Sequence, residues 1–200
     1  LGGSSTKSLA DSDIRPALRD WLRARHESDP DTVILDELGI CRGRVRIDLT
    51  VVNGLLHGYE IKSERDTLAR LETQADLYGR ALDRATLVVG EPHFEAALRA
   101  VPRWWGILLV ESSGDTPRFI VRRCGSRNPQ LDAKAVVEFL WREDALALLE
   151  NREAAAGLRG KTRLAMWNRI CEVCEVAEIA AAARARLKSR EDLAEPARQS

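Results

Sequence analysis

Residues 44–62 constrain the fold more than any other stretch of the chain. From 44 to 52 the residues alternate without a break. Val45, Ile47, Leu49 and Val51 fall on one side, and Arg46, Asp48 and Thr50 on the other, which is the period of a β-strand. Asn53-Gly54 is a strong hairpin signal, and 55–62 returns as a second strand. There Leu55, Tyr59 and Ile61 oppose Gly58, Glu60 and Lys62. A two-residue turn would set Asp48 opposite Tyr59 and Glu60 opposite Ile47, mixing polar and apolar side chains on both faces. A three-residue loop or a bulge instead pairs Asp48 with Glu60 and gathers the apolar side chains on the other face. Because a one-residue slip turns a whole strand over, the second register is expected. It sets two carboxylates about 5 Å apart, and a bound cation is the simplest compensation. Lys62, two positions from Glu60, projects from the same face. Two carboxylates and an ammonium are the minimum set for holding a divalent cation beside a phosphodiester and presenting water to it.

The flanking segments supply the rest of an α/β fold. Ser12-Asp13 read as N-capping residues for a helix with Ile14, Leu18, Trp21 and Leu22 inward, fading near Ser28-Asp29-Pro30. Residues 32–38 are β-branched and apolar, a strand, and 39–43 a turn. Asp66 is placed to cap a helix over 67–83 with Leu68, Leu71, Ala75, Tyr78 and Leu82 as its stripe. Strands are expected at 85–89 and 105–110, a helix at 93–100, and an edge strand at 119–123. This order implies a mixed β-sheet flanked by helices. Beyond a polar loop at 125–130, helices are expected over 133–150 and 161–188. The expected organisation is a core over 12–127, a C-terminal helical region over 128–190, and flexible ends at 1–11 and 191–200.

Composition removes several classes of function. The 200 residues carry a formal net charge of zero, so any polyanion must be held by local patches rather than a global field. No stretch is apolar enough to span a bilayer, no secretory signal is visible, and a cytoplasmic location is the default expectation. Four cysteines are too few and too scattered for a disulfide framework. Cys171-x-x-Cys174 lacks a second cysteine or histidine pair, so inert buried thiols are expected rather than a zinc or iron–sulfur site. His26, His57 and His93 have no mutual spacing that suggests catalysis.

At Gly43-x-x-x-x-Asp48, Glu60-x-Lys62 and Gln74-x-x-x-Tyr78 the chain resembles the PD-(D/E)XK nuclease superfamily, above all its RecB-like branch with a Q-x-x-x-Y helix. The run from Glu60 to Leu68 also resembles a bacterial group of uncharacterised members of that superfamily. The resemblance covers roughly residues 12 to 112 and implies a restriction-endonuclease-like core. It implies that Asp48, Glu60 and the Ile61 carbonyl ligate Mg²⁺ or Mn²⁺, joined by an upstream acid, Glu37, with Glu27 as the alternative. Lys62 would orient or deprotonate the attacking water or balance charge on the phosphorus. Gln74 and Tyr78 would brace the site and touch the substrate backbone, and Arg46 would contact phosphate.

In the second half, Arg159, Lys161 and Arg163 form a basic cluster that could grip a nucleic-acid backbone, with Arg184, Arg186, Lys188 and Arg190 at the far end. Trp104, Trp105, Trp141 and Trp167 are stacking candidates or core anchors. The leading expectation is a metal-dependent nuclease acting on DNA. The alternatives are a catalytically silent nucleic-acid-binding or protein-interaction subunit on the same fold, or an RNA-directed nuclease. No membrane partner is expected, and homo-oligomerisation is left open.

Overall fold

The computed structural model describes residues 8–113 and 116–189. Its sheet has six strands in sequence order: β1 (Val33–Ile40), β2 (Val45–Val52), β3 (Leu56–Lys62), β4 (Arg84–Gly90), β5 (Gly106–Ser113) and β6 (Thr116–Arg123). β3, β4 and β5 run parallel, and the other neighbours are antiparallel. Each parallel step needs a crossover, supplied by α2 (Leu71–Ala81) and α3 (Phe94–Ala100). The expected mixed sheet flanked by helices is therefore what forms. No helix among the described residues is long and apolar enough to cross a membrane.

Both faces of the sheet are covered. α1 (Asp11–Arg25) lays Ile14, Leu18 and Leu22 on one face, against Leu49, Val51, Tyr59, Ile61 and Val88. α2 and the C-terminal helices close the other face around Ile47, Leu56, Leu82, Leu87 and Trp105. These are α4 (Ala133–Val136), α5 (Arg142–Asn151), α6 (Arg163–Val173) and α7 (Val176–Lys188). The stretch after 128 thus shares one apolar cluster with the sheet. Leu9 is buried and Asp11 opens α1, so the end expected to be flexible is ordered from there on. Residues 1–7 and 190–200, including Arg190, lie outside the described residues.

Two long helices expected from the sequence are each divided. Leu140 and Trp141 are extended, and the Trp141 N–H donates to the Asp144 carboxylate at 2.9 Å, which starts α5 afresh. Cys174 and Glu175 are likewise extended between α6 and α7. Asp66 caps no helix; its carboxylate closes a tight loop by accepting from the Ser63 N–H and hydroxyl at 2.8 and 2.7 Å.

The hairpin register is the expected one. Val52 pairs with Leu56 and Leu49 with Tyr59 around a three-residue loop, whose Asn53 side chain accepts from the Leu55 N–H. The faces, however, differ from the expectation. Leu49 and Val51 lie on the α1 side, whereas Ile47 packs on the other side with Leu38 and Ile40. β1 switches at the same level: Ile34 faces α1, Leu38 faces away, and Glu37 between them has φ +50°. Since β1 and β2 reverse together, their pairing resumes unshifted at Leu38 and Ile47.

Gly58 is where β3 passes closest to its neighbours. A Cβ there would lie 2.5 Å from Leu82 Cδ1 and 3.1 Å from Ile47 Cγ2, both on fully buried side chains. Gly58→Ala should lower stability by about 1–3 kcal/mol through overpacking, read as a lower urea midpoint at unchanged m-value.

Candidate functional site

The ladder between β2 and β3 ends at Leu49 and Tyr59, one level short of Asp48 and Glu60. There β2 leaves its partner, and the Asp48 side chain takes over the backbone's role, its Oδ2 accepting from the Ile61 N–H at 2.7 Å. The N–H and C=O of one strand residue point to the same edge, so the Ile61 carbonyl faces the same gap.

Glu60 projects to the α2 side and is only 3% exposed. Its Oε1 accepts from Lys62 Nζ at 2.7 Å and from Gln74 Nε2 at 2.6 Å, and its Oε2 takes a short hydrogen bond from the Tyr78 hydroxyl. Gln74 and Tyr78 are one turn apart on α2, so both reach one carboxylate. Tyr78 also lies 3.0 Å from the Arg46 carbonyl and stacks on Trp105, ring centroids 5.4 Å apart. Burial, then the Glu60 charge, pushes its phenol far above the usual range, so it stays a donor. Tyr78→Phe strips a buried carboxylate of that donor and should cost about 1–3 kcal/mol, visible as a lower melting temperature.

Asp48 is held differently. Burial, then the charge of Glu60, pushes its carboxyl up to about 6, against the pull of the Ile61 N–H and Arg15. Arg15, on α1, donates from Nη2 to Asp48 Oδ1 at 2.8 Å, from Nη1 to Glu37 Oε1 at 2.5 Å, and from Nε to Asp11 at 3.1 Å. Burial works against its charge, but these acids hold its proton more firmly than usual. Sequence reasoning missed Arg15. The available signal was an arginine beside the Ile14/Leu18 stripe with an acid four residues before it, a pattern common on solvated helices.

The expected site residues are thus partly assembled. Asp48, Glu60, Lys62, Gln74 and Tyr78 share one region at the end of the β2–β3 ladder. Glu37 joins them through Arg15. Glu27 sits exposed in the turn after α1 and has no hydrogen bond or ion pair with these groups among the described residues. Arg46 is exposed beside Asp48. Among the described residues no three His, Cys, Asp or Glu side chains converge as they stand to hold a metal ion.

Arg159 pairs with Glu150 at 2.7 Å, Lys161 is exposed, and Arg163 covers the Trp167 ring at 4.7 Å. Arg163 and Trp167 line a cleft with Arg42 and Gly43 of the β1–β2 turn. Trp105 and Trp167 are core anchors, and the exposed Trp141 carries Arg186 over its ring. Burial raises the Cys171 and Cys174 thiols, consistent with inert side chains. His57 contacts Thr86 and Tyr59 and burial pushes it down to about 3.

Residues 4–195 match the family described as bacteriophage P4 protein cII. The chain belongs to that family. Protein cII of Enterobacteria phage P4 is 26% identical over 141 residues, which is 70% of this chain and 53% of that protein. The chain therefore spans about half the length of the curated relative it matches. A protein of unknown function from Silicibacter pomeroyi, SPO1766, aligns over 80% of this chain and all of its own, at 19% identity and a TM-score of 0.39. SfsA from Pyrococcus furiosus, solved in complex with Ca²⁺, aligns over 62% of this chain and 68% of its own, at 12% identity and a TM-score of 0.35.

Proposed function

We propose that the chain is a Mg²⁺- or Mn²⁺-dependent nuclease of PD-(D/E)XK type that hydrolyses phosphodiester bonds in DNA. The observation that carries this reading is the convergence of Lys62, Gln74 and Tyr78 on Glu60, next to a second carboxylate, Asp48, that burial and Glu60 hold up near 6. Strand pairing alone does not require a buried acid with three side-chain donors, and a carboxyl shifted as Asp48 is belongs to the kind of group that gathers at functional sites.

The donor chemistry fits the cation. Asp48, Glu60 and the Ile61 carbonyl are hard oxygens, and Mg²⁺ is bound through one or two carboxylates with water completing its shell. A divalent ion there supplies Lewis acidity to a phosphoryl oxygen and makes water a nucleophile at neutral pH. Lys62 is held by Glu60, whose oxygen its ammonium touches at 2.7 Å, and from there it would orient the attacking water or stabilise charge on the phosphorus. Gln74 and Tyr78 fix the Glu60 rotamer, so that its oxygens need little reorganisation during reaction. Arg46, Arg159, Lys161 and Arg163 offer cations to the nucleic-acid backbone.

The test is cleavage of plasmid DNA, single-stranded DNA and RNA with Mg²⁺ or Mn²⁺, comparing wild type with Asp48→Ala and Lys62→Ala. Cleavage by wild type and its loss in both variants is expected; equal activity in all three removes the claim. One observation favours a second reading, a non-catalytic nucleic-acid-binding or protein-interaction subunit. Every carboxylate oxygen of Asp48 and Glu60 already has a protein donor. DNA binding unaffected by EDTA, without cleavage in any metal, would select it.

A further inference from the structure

Arg15 already sits as a cation on Asp48. Of that carboxylate's two oxygens, Oδ2 is committed to the Ile61 N–H inside the sheet, and Oδ1 carries the Arg15 Nη2 at 2.8 Å. The same guanidinium reaches Glu37 with Nη1, which also lies 3.2 Å from the Asp48 carbonyl. It is anchored from behind, Nε and Nη2 reaching the two oxygens of Asp11 one turn earlier on α1. Three acids thus surround one planar cation. A guanidinium is far wider than a divalent ion, so acids spread around it stand too far apart to share one, in keeping with the lack of a converged metal-ligating group among the described residues.

We propose that Arg15 is an internal counter-ion that exchanges with the divalent metal: it neutralises Asp48 and Glu37 in the metal-free protein and must release Asp48 Oδ1 before a cation can be coordinated there. This rests on the nuclease reading and adds a control to the same site. The exchange needs little motion of the fold. Arg15 is on the first turns of a helix packed by Ile14 and Leu18, both fully buried, so its side chain can swing without moving α1. Asp11 remains as its partner in the released position, which keeps the freed charge beside the site, where a phosphate can use it.

Mn²⁺ binding, followed by calorimetry and by the EPR signal of free Mn²⁺, tests this in the wild type, Arg15→Gln, Arg19→Gln and Asp48→Ala. Arg19 lies one turn along α1 and pairs with Asp36, so Arg19→Gln removes the same formal charge at a different carboxylate. Arg15→Gln should bind Mn²⁺ about tenfold more tightly, the factor for releasing one charge-assisted hydrogen bond. Arg19→Gln should match the wild type, and Asp48→Ala should lose the site. Tighter binding in both arginine variants reduces the effect to general electrostatics and overturns the exchange, as does unchanged or weaker binding in Arg15→Gln. Mn²⁺ binding absent from every protein overturns the nuclease reading itself. A readout on the unmutated chain covers a variant that fails to fold. The Arg15 Nη–H resonances, which face Asp48 and Glu37, should shift and lose protection from solvent exchange on Mg²⁺ saturation, while Nε–H, bonded to Asp11, keeps it; Nη resonances unmoved while Mg²⁺ binds overturn the proposal.

Discussion

Asp48→Asn is expected to cut metal-dependent cleavage by at least about a hundredfold while leaving the metal-free fold at pH 7.5 at least as stable as the wild type. The two halves follow from one carboxylate. Its folded value of about 6 stands above the ordinary 3.8, because burial and the Glu60 charge outweigh the Ile61 N–H and Arg15. An acid raised in this way binds its proton more tightly in the folded state, so stability is lost as pH rises from 3.8 to 6 and stays lost above. A shift of that size corresponds to roughly 2–3 kcal/mol at neutral pH, and the 19% exposure of the side chain reduces it through solvent screening. Asparagine removes the charge, and the pull of Arg15 is already counted in that net value, so it does not offset the gain a second time. Arg15 keeps Asp11 and Glu37 as partners. Thermal melts in EDTA beside cleavage assays in Mg²⁺ read both halves. A variant that is inactive because it is unfolded would break the argument, as would one that is fully active.

Such a trade between stability and function was only partly legible in the sequence. The register was, because alternation in two strands around Asn53-Gly54 selects one pairing, which holds from Val52–Leu56 to Leu49–Tyr59. Lys62 beside Glu60 followed from the two-residue period of a strand, and the Gln74–Tyr78 face from the helical one. The reversal of faces at Glu37 and Asp48 was not legible. Val45, Ile47, Leu49 and Val51 alternate uninterruptedly, and with both faces of the sheet buried an apolar residue is satisfied on either side. The reversal depends on Glu37 taking a left-handed conformation and on Asp48 bonding across to β3. Neither carries a glycine or proline to announce it. The break at Cys174-Glu175 is silent for the same reason. Arg15 is a long-range fact: its partners Glu37 and Asp48 lie 22 and 33 residues away.

His57 should make the fold acid-sensitive well above the pH at which most carboxylates protonate. Its imidazole lies against the Tyr59 ring, centroids 4.3 Å apart, with Nε2 2.8 Å from the Thr86 hydroxyl. Burial, then the charges of Arg84 and His26, pushes it from 6.5 down to about 3. Between those values the unfolded chain binds a proton that the folded chain refuses, so the stabilising contribution is complete above pH 6.5 and is lost as pH falls toward 3. By pH 4 the loss is on the order of 3 kcal/mol, a large part of the stability of a typical domain. Asp48 acts with the opposite sign over the overlapping range from 6 down to 3.8, since the folded protein gains its proton first. Wild type therefore shows a partly cancelled slope, and variants separate the two contributions. His57→Gln, which can still meet Thr86, should flatten or reverse the loss between pH 6.5 and 4, whereas Asp48→Asn should steepen it. Urea midpoints at half-unit pH steps for the three proteins measure this directly. Parallel curves for wild type and His57→Gln would mean that His57 takes up its proton in the folded state as readily as in the unfolded chain.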